Sequence, residues 1–334
     1  MITIRTPLRV SFFGGGTDFP KWYNQNGGGV LSCAINKYTY VQIKIMQNFF
    51  NHKYRIRYYI NEEKNLINDI EHPVVREALK KYYSAINSNN GLEVVHTADL
   101  PARSGLGSSS SFSVSFINAI YQLKKKKLSK KKLWELAINL EQNILKESVG
   151  SQDQVICSKG GFNFISFNKE KIIINDLYPI NKEKINYLKN YLTIFFTGFT
   201  RDANKIEKAK IKKISRNYDY YKSIHQIALS GKDLITSKNK NFFIDEFSYL
   251  LNEQWKLKKK LSEKVSNKQI DDIYEFALKN GAIGGKLLGA GKGGFFLLLS
   301  RNLNDKKKLI KSLKKLNHFE LNYDFEGSKK IYDN

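Results

Sequence analysis

The stretch LPARSGLGSSSSFSVSF, residues 100–116, places two glycines and four consecutive serines directly before an apolar run. Apolar side chains recur at helical spacing from Phe112 to Leu123, which predicts a tight loop opening a helix near Ser109 or Ser110. The unpaired amides and positive dipole at such a helix start suit a phosphate chain, and serine hydroxyls can bind Mg²⁺. An ordinary capped helix preceded by a glycine turn is the simpler explanation when the segment is taken alone.

The composition indicates a folded globular protein. The chain has 334 residues, of which 41% are hydrophobic and 13% aromatic, and this length is sufficient for two hydrophobic cores. No apolar run approaches the roughly 20 residues that cross a bilayer, and the first residues lack a signal-peptide pattern. Cys33 and Cys157 offer neither a disulfide framework nor a metal-ligand spacing. We therefore expect a cytoplasmic protein without a membrane partner.

The net charge of +25 raises the question of nucleic-acid binding. The lysines are scattered, however, and their densest runs, at 124–127, 130–132 and 258–260, fall at helix ends or on polar helix faces. These runs are not interleaved with aromatic residues on a strand. We expect no specific nucleic-acid partner, whereas a phosphorylated small substrate would gain from the same positive field.

The order of the predicted elements favours an α+β fold. Strand-like segments come first, helical patterns such as 130–147 follow, and YLTIFFTG at 191–198 predicts a buried strand that opens a second unit. A long amphipathic helix is predicted over about 202–230. Strands and helices do not alternate strictly, which argues against a doubly wound sheet. We predict two domains, 1–185 and 186–334.

Two further glycine-rich segments carry residues suited to ligands. In RTPLRVSFFGGGTDFP, residues 5–20, a strand carrying Arg9 leads into three glycines and then Asp18. Arginine beside a glycine turn suits an anion, and an aspartate after it suits sugar hydroxyls, although a strand ending in a capped turn fits equally well.

The other segment is KLLGAGKGGFFLLL, residues 286–299, in which the glycines precede a strand. A dinucleotide-binding fold needs a helix there, and a Walker loop needs Ser or Thr directly after Lys292, so both are excluded. The remaining interpretations are a turn that lets backbone approach a ligand closely and a hairpin-like connection.

Two carboxylates stand in LWELAINLEQNILKESVGSQDQV, residues 133–155. Glu141 lies at the edge of the buried stripe of the predicted helix, and Asp153 follows that helix in a predicted loop. A glutamate on a rigid helix can hold a metal ion, and an aspartate can take a proton from a hydroxyl. A solvated helix glutamate is the plainer explanation of Glu141 alone, but its combination with three glycine-rich loops is uncommon.

Taken together, these motifs resemble those of the GHMP kinase superfamily. TPLRVSFFGGGTD resembles its first motif, PARSGLGSSSSFS its phosphate-binding motif and KLLGAGKGGFFLLL its third, in the same order and at similar distances. The resemblance implies a two-domain GHMP kinase fold. Its amino-terminal domain is like ribosomal protein S5 domain 2, and its carboxy-terminal domain is ferredoxin-like. It also implies that ATP and Mg²⁺ bind between the domains.

The resemblance further implies roles for individual residues. Asp153 would be the general base with Arg9 nearby, and Glu141 with Ser109, or its neighbour Ser108, would hold Mg²⁺. The residues implied around the ATP phosphates are Arg103, Ser104, Gly105, Leu106, Gly107, Ser108, Ser109 and Ser110. The residues implied on the substrate side are Gly14, Gly15, Gly16, Thr17, Asp18, Arg201, Lys286, Gly289 and Gly291.

Within the superfamily, FFGGGTDFP lacks the Glu-His pair of the galactokinase-like motif. Together with NGGGVLSCAINKY and FFTGFTRDA, it resembles the bacterial D-glycero-D-manno-heptose 7-phosphate kinases. That likeness implies phosphorylation of the anomeric hydroxyl to give the 1,7-bisphosphate, on the way to GDP-activated heptose for surface glycans. A phosphorylated substrate needs a second anion site, for which Arg201 is the first candidate and Lys286 a weaker one.

The sequence leaves alternatives open. A kinase for an unphosphorylated sugar such as fucose or galactose would carry the same three motifs. A catalytically inactive sugar-binding relative is disfavoured because both Glu141 and Asp153 are present. The sequence does not decide whether the protein forms a homodimer.

Overall fold

Two sheets with flanking helices organise the chain. The computed structural model describes residues 1–83, 90–199, 203–238 and 243–333. The strands are β1 (Ile2–Phe13), β2 (Gly28–Met46), β3 (Tyr54–Arg57), β4 (Asn61–Lys64), β5 (Gly91–Ala98), β6 (Phe162–Phe167), β7 (Ile172–Asp176), β8 (Leu192–Phe196), β9 (Gly284–Leu287), β10 (Phe295–Leu299), β11 (His318–Glu320) and β12 (Lys329–Asp333). The helices are α1 (Pro20–Asn26), α2 (Pro73–Ala78), α3 (Ser108–Leu123), α4 (Lys130–Ile138), α5 (Gln152–Lys159), α6 (Tyr178–Tyr191), α7 (Ala203–Lys212), α8 (Tyr218–Thr236), α9 (Phe243–Lys260), α10 (Lys268–Lys279) and α11 (Leu303–Ser312). Two π-helical segments, Leu79–Tyr83 and Asn139–Ile144, continue α2 and α4, and Ile67–Asp69 forms a 3₁₀ turn.

The larger sheet is built around β1 and the long strand β2. Among the described residues, eight strands form it in the order β12-β1-β2-β5-β3-β4, with β6 and β7 continuing from the first half of β2. Strand β3 runs parallel to β5, and the other pairs are antiparallel. A register shift between Ser11 and Phe13 places a bulge at the end of β1, directly before the three glycines.

The alternation of side chains in β1 determines where Arg9 points. Leu8, Val10 and Phe12 are fully buried in the core that joins the two sheets. Because successive side chains of a strand point to opposite faces, Arg9 and Ser11 are directed to the other face of the sheet. Helices α3 and α5 pack against β1 on that face.

The smaller sheet is antiparallel, in the order β11-β8-β10-β9. Every residue of β10 is buried. Phe295, Leu297 and Leu299 face the core shared with β1, while Phe296 and Leu298 pack beneath α10 and α11. The continuous apolar run of β10 is therefore the pattern of a strand that is covered on both faces.

Several helices begin or end at residues other than the predicted ones. The helix predicted over 130–147 is α-helical only as far as Ile138 and then π-helical. The helix predicted over 202–230 is two helices, α7 and α8, because the chain turns at Asn217, whose amide Nδ2 donates to Leu261 O at 2.9 Å. Asp153, predicted in a loop, lies in the first turn of α5.

The α+β fold class predicted from the sequence is confirmed. The last strand adds a feature that the sequence did not predict, because β12 pairs with β1 from Ile2 opposite Asp333. The end of the chain thus returns to the first sheet, and the division after residue 185 stays a prediction. Among the described helices, none is both long and apolar enough to cross a membrane.

Candidate active site

The segment before α3 forms an open helix start, as its glycines and serines predict. Gly107 occupies the N-cap position with φ of 77°, a left-handed conformation that favours glycine, and no side chain of the described residues caps the helix. The helix begins at Ser108 rather than at Ser109 or Ser110. Its first amides are consequently available to a ligand, which is the property that suits phosphate.

The residues before Gly107 hold the loop in place. Ser104 is buried and donates from Oγ to Pro101 O at 2.6 Å, whereas Arg103 is exposed with φ of 59°. Leu106 is fully buried, and its carbonyl accepts from Arg9 N at 2.9 Å. The hydrogen bond from β1 fixes the position of this loop. The phosphate-binding role of the loop stays a prediction.

Arg9 and Asp153 form a two-point ion pair beside this loop. Arg9 Nε lies 2.7 Å from Asp153 Oδ1, and the terminal nitrogen Nη2 lies 2.7 Å from Oδ2. The third guanidinium nitrogen donates to Gly105 O at 2.7 Å, so one arginine ties the carboxylate to the glycine loop. Burial opposes the charge of Arg9, but Asp153 outweighs it and the pKa of the guanidinium is raised.

Gly107 lies directly against this pair. A Cβ at this position would stand 3.1 Å from both Arg9 Cγ and Asp153 Oδ2. A side chain at Gly107 would therefore crowd this pair, and Arg9 or Asp153 would have to shift by a few tenths of an ångström. The structure thus brings the loop, Arg9 and Asp153 together, which is the arrangement that the family resemblance implied.

Glu141 lies in the π-helical segment and is fully buried. Its Oε2 accepts from Ser110 Oγ at 2.8 Å and also from Gln154 Nε2. Its Oε1 has no hydrogen-bond partner within the described chain. Burial raises the pKa of this carboxyl to about 7.

These features fit a divalent cation. An orphaned carboxylate oxygen beside serine hydroxyls at a phosphate-type helix start is an oxygen donor set of the kind that Mg²⁺ prefers. The structure places Ser110, rather than Ser109, against Glu141, while Ser109 is exposed. Ser109 as the metal ligand stays a prediction, as does its neighbour Ser108.

The three glycines and Asp18 form a tight turn that packs against α5. Asp18 is buried, its Oδ1 accepts from Gly16 N at 2.8 Å, and its Oδ2 accepts from Gln152 N at 3.2 Å. Burial raises the pKa of Asp18, although the two backbone donors counteract the shift. Asp18 therefore fixes the first amide of the helix that carries Asp153.

Thr17 also holds this turn. Its hydroxyl donates to Gly14 O at 2.8 Å, and Gly29 N at the start of β2 donates to it at 3.1 Å. The structure consequently places Thr17 and Asp18 beside the site. Their predicted contacts with a sugar stay predictions.

Strand β9 and helix α9 contact the same turn through two long polar side chains. Lys286 on β9 is buried, and its ammonium donates to Ser11 O at 3.0 Å and Phe12 O at 2.8 Å. The carbonyls belong to the bulged end of β1, where the ladder is irregular. Gly14 N donates to Gln254 Oε1 of α9 at 3.0 Å. Burial lowers the pKa of Lys286 to about 7, with the charge of Arg9 adding to the effect.

The other predicted substrate residues lie elsewhere. Gly289 O accepts from Lys258 Nζ at 2.5 Å, and a Cβ on Gly291 would stand 2.5 Å from Val265 O. Gly289 is thus held by the last turn of α9, and Gly291 packs on the segment that joins α9 and α10. Arg201 lies outside the described residues.

Sequence reasoning missed several polar residues that surround this site. Gln154 reaches Glu141, Gln254 reaches Gly14, and Tyr221 of α8 packs beside Gly16. Of these three residues, only Gln154 could have been placed near the site from the sequence, since it stands next to Asp153 in GSQDQ. The others come from distant helices, and no spacing in the sequence indicates their position.

Comparisons with known proteins agree with the three motifs. Residues 72–161 match the family described as GHMP kinases N terminal domain, and residues 240–318 match GHMP kinases C terminal. A solved structure of a D-glycero-D-manno-heptose 1-phosphate kinase from Bacteroides thetaiotaomicron superposes with a TM-score of 0.77 at 22% identity, covering 100% of both chains. The Lactococcus lactis galactokinase complexed with galactose gives a TM-score of 0.73 at 17% identity, covering 99% of this chain and 95% of that one.

A relative in Campylobacter jejuni is more similar in sequence. This protein, named D-glycero-alpha-D-manno-heptose 7-phosphate kinase, is 32% identical over 98% of this chain and 99% of its own length. Both domains of the GHMP kinase family are matched as well. The chain therefore belongs to the GHMP kinase family and is an ATP-dependent sugar kinase.

Proposed function

We propose that this kinase phosphorylates the anomeric hydroxyl of D-glycero-D-manno-heptose 7-phosphate and releases the 1,7-bisphosphate. The observation that carries the proposal is the Arg9–Asp153 pair held against Gly107, at the start of α3. A proton acceptor and an anion-binding helix start therefore lie side by side. The Campylobacter relative supports this substrate, because it is named for it and is 32% identical over 98% of this chain.

In the proposed mechanism, Asp153 accepts the proton of the sugar hydroxyl as the oxygen attacks the γ-phosphorus of ATP. The bond between that phosphorus and the bridging oxygen breaks, and ADP leaves. Each Asp153 oxygen accepts one hydrogen bond from Arg9, so a further lone pair on the carboxylate is available for the proton. Arg9 orients the carboxylate, since two parallel hydrogen bonds fix its plane.

The start of α3 supplies the electrostatic part of the reaction. Backbone amides from Ser108 onward donate to the phosphates, where negative charge is redistributed during transfer. Glu141 and a serine of the loop would hold Mg²⁺, which neutralises phosphate charge when bound. Positioning and charge compensation are the main requirements of phosphoryl transfer.

The test is an ADP-release assay on the full chain with heptose 7-phosphate, L-fucose and D-galactose, each with and without Mg²⁺. We expect turnover that depends on magnesium and a kcat/KM that is highest for heptose 7-phosphate. If the kcat/KM were highest for fucose or galactose, the proposed substrate would be wrong and the proposed kinase mechanism would stand. Absence of turnover with all three sugars would contradict the proposal.

A further inference from the structure

Residues 321–328, the connecting segment, lead from β11 in the smaller sheet to β12 in the larger one. On the way they run beside β2, where Asp324 N donates to Ala34 O at 3.0 Å. Strand β6 pairs with β2 as far as Cys33, the residue before this contact. The connecting segment therefore continues along β2 from the point at which β6 ends.

The connecting segment also contacts the carboxyl end of α5, the helix whose first turn carries Asp153. Gly161 N, just after the helix, donates to Asp324 O at 2.7 Å. Ser328 N donates to Ser158 O in the last turn at 3.2 Å. Helix α5 has eight residues, which is about two helical turns. A displacement of its last turn is therefore passed on to the turn of Asp153.

Two glycines allow the backbones to approach closely at this contact. Gly160 directly follows α5 with φ of 77°, and Gly327 has φ of 65°. A Cβ on Gly327 would stand 2.2 Å from Ser158 O, and a Cβ on Gly160 would stand 2.5 Å from Gly327 N. Both neighbours are backbone atoms, so no side chain can move aside to relieve the overlap. A side chain at either glycine would displace the end of α5 from the connecting segment.

A buried carboxylate gives the connecting segment its shape. Asp324 is 5% exposed, and its Oδ1 accepts from Glu326 N at 3.0 Å and from Gly327 N at 2.7 Å. Its Oδ2 accepts from Tyr38 Oη at 3.2 Å and lies 3.5 Å from Arg5 Nη2. An aspartate that binds the amides two and three residues ahead stabilises a tight turn. Asp324 thus holds Gly327 in place against α5.

The connecting segment is also bonded to the elements that carry the rest of the site. Strand β12 follows it directly and pairs with β1, the strand of Arg9. Ser328 Oγ accepts from Thr6 Oγ1 of β1 at 2.8 Å and from Asn118 Nδ2 of α3 at 2.9 Å. One short segment therefore joins β1, α3 and the helix that carries Asp153.

We propose that Asp324 and Gly327 are positioning residues, because the connecting segment that they shape holds α5 in the place where Asp153 meets Arg9 and the open start of α3. Asp18 fixes the first amide of α5, and the connecting segment fixes its last turn. This inference rests on the proposed role of Asp153 as the proton acceptor. Misplacing a reacting group by about 1 Å can lower the rate about a hundredfold.

The first test compares Gly327→Ala with the wild type in steady-state kinetics and in hydrogen–deuterium exchange. The assay uses ATP and whichever of the three sugars gives the wild type its highest kcat/KM. Gly327→Ala should lower kcat about ten- to a hundredfold, because its Cβ displaces α5, and should leave the KM values for ATP and sugar nearly unchanged. Amides of α5 should exchange faster than in the wild type, and this measurement does not depend on turnover.

A second pair of variants tests the carboxylate. Asp324→Ala removes the acceptor for the amides of Glu326 and Gly327 and should lower kcat as Gly327→Ala does. Asp324→Asn keeps one amide oxygen that can accept from both backbone donors and should restore most of the kcat. This pair keeps the inference testable if Gly327→Ala does not fold.

Gly27→Ala is the matched control. Gly27 has φ of 68°, close to that of Gly327, and a Cβ there would meet Phe167 O at 3.8 Å and His225 Cε1 at 3.9 Å, which are ordinary contacts. The control thus carries the same backbone strain without the overlap, and it should keep the wild-type kcat. Melting temperatures of all variants show that each is folded at the assay temperature.

The outcomes separate this inference from the proposed function. If folded Gly327→Ala and Asp324→Ala keep the wild-type kcat, or raise a KM at unchanged kcat, the positioning role is refuted while the proposed function stands. An equal loss of kcat in Gly27→Ala would also refute it, since backbone strain alone would then explain the loss. If Asp153→Asn keeps the wild-type kcat, Asp153 is not the proton acceptor, and both the proposed mechanism and this inference are refuted.

Discussion

Replacement of Glu141 by glutamine should change how the stability of the protein depends on pH. Burial raises the pKa of the Glu141 carboxyl from an ordinary value of 4.5 to about 7. Between these two values the folded protein holds a proton that the unfolded chain has released. The free energy of unfolding therefore falls as the pH rises through this window. The stabilisation that the protonated Glu141 gives the folded protein is fully present below pH 4.5 and is lost above about pH 7.

The magnitude follows from the width of the window. A pKa change from 4.5 to about 7 corresponds to about 3 kcal/mol, at about 1.4 kcal/mol for each pH unit. Glutamine is neutral at every pH and keeps a similar shape, so Glu141→Gln lacks this loss. The variant should gain about 3 kcal/mol relative to wild type between pH 4.5 and pH 8 in the absence of metal.

Urea denaturation in EDTA at several pH values measures this difference. Glu135→Gln is the control, since Glu135 lies in the same helix but its side chain is 45% exposed. That variant should follow the wild-type pH dependence. If the free energy of unfolding of Glu141→Gln changed with pH in the same way as that of the wild type, the buried carboxyl would not titrate as its surroundings imply.

Three other substitutions test the site directly. Asp153→Asn should lower kcat by about 10²–10⁴-fold, because it removes the proton acceptor, while direct nucleotide titration should show unchanged ATP binding. Gly107→Ala should raise the KM for ATP and lower kcat. The backbone φ of 77° at this position is unfavourable for alanine, and the new Cβ would stand 3.1 Å from Asp153 Oδ2. Unchanged kinetics would show that position 107 tolerates a side chain beside Asp153. Lys286→Met removes the donor to the carbonyls of Ser11 and Phe12 and should raise the KM for the sugar about tenfold. Lys286→Arg should restore part of the affinity for the sugar. A change in the KM for ATP alone would contradict a role of Lys286 on the sugar side.

The family resemblance indicated which motifs meet in the site, but not the contacts made by distant residues. It placed Arg9 near Asp153, and in the structure both lie beside the glycine loop. Lys286 was a weaker candidate than Arg201 for binding a substrate phosphate, and its ammonium donates to carbonyls of β1. That contact depends on a bulge in a strand more than 270 positions away, and no local pattern encodes it.

Glu141 lies where the geometry of its helix changes. In a regular α-helix each residue advances about 100° around the axis, and this spacing puts Glu141 at the edge of the buried stripe, on a line with the buried Trp134 and Ala137. The segment Asn139–Ile144 is π-helical, and Leu145 N donates to Leu140 O, five residues back, at 2.9 Å. The carboxylate is buried, and Ser110 and Gln154 donate to it.

Burial raises the pKa of Glu141, and its Oε1 has no hydrogen-bond partner among the described residues. A carboxylate buried for stability alone would have all its acceptors satisfied, since an unpaired buried oxygen is costly. The free Oε1 instead leaves one strong oxygen ligand for a cation at the helix start that faces the phosphates. Cation binding would favour the ionised carboxylate, so the free energy lost by burying Glu141 is recovered when metal and nucleotide bind.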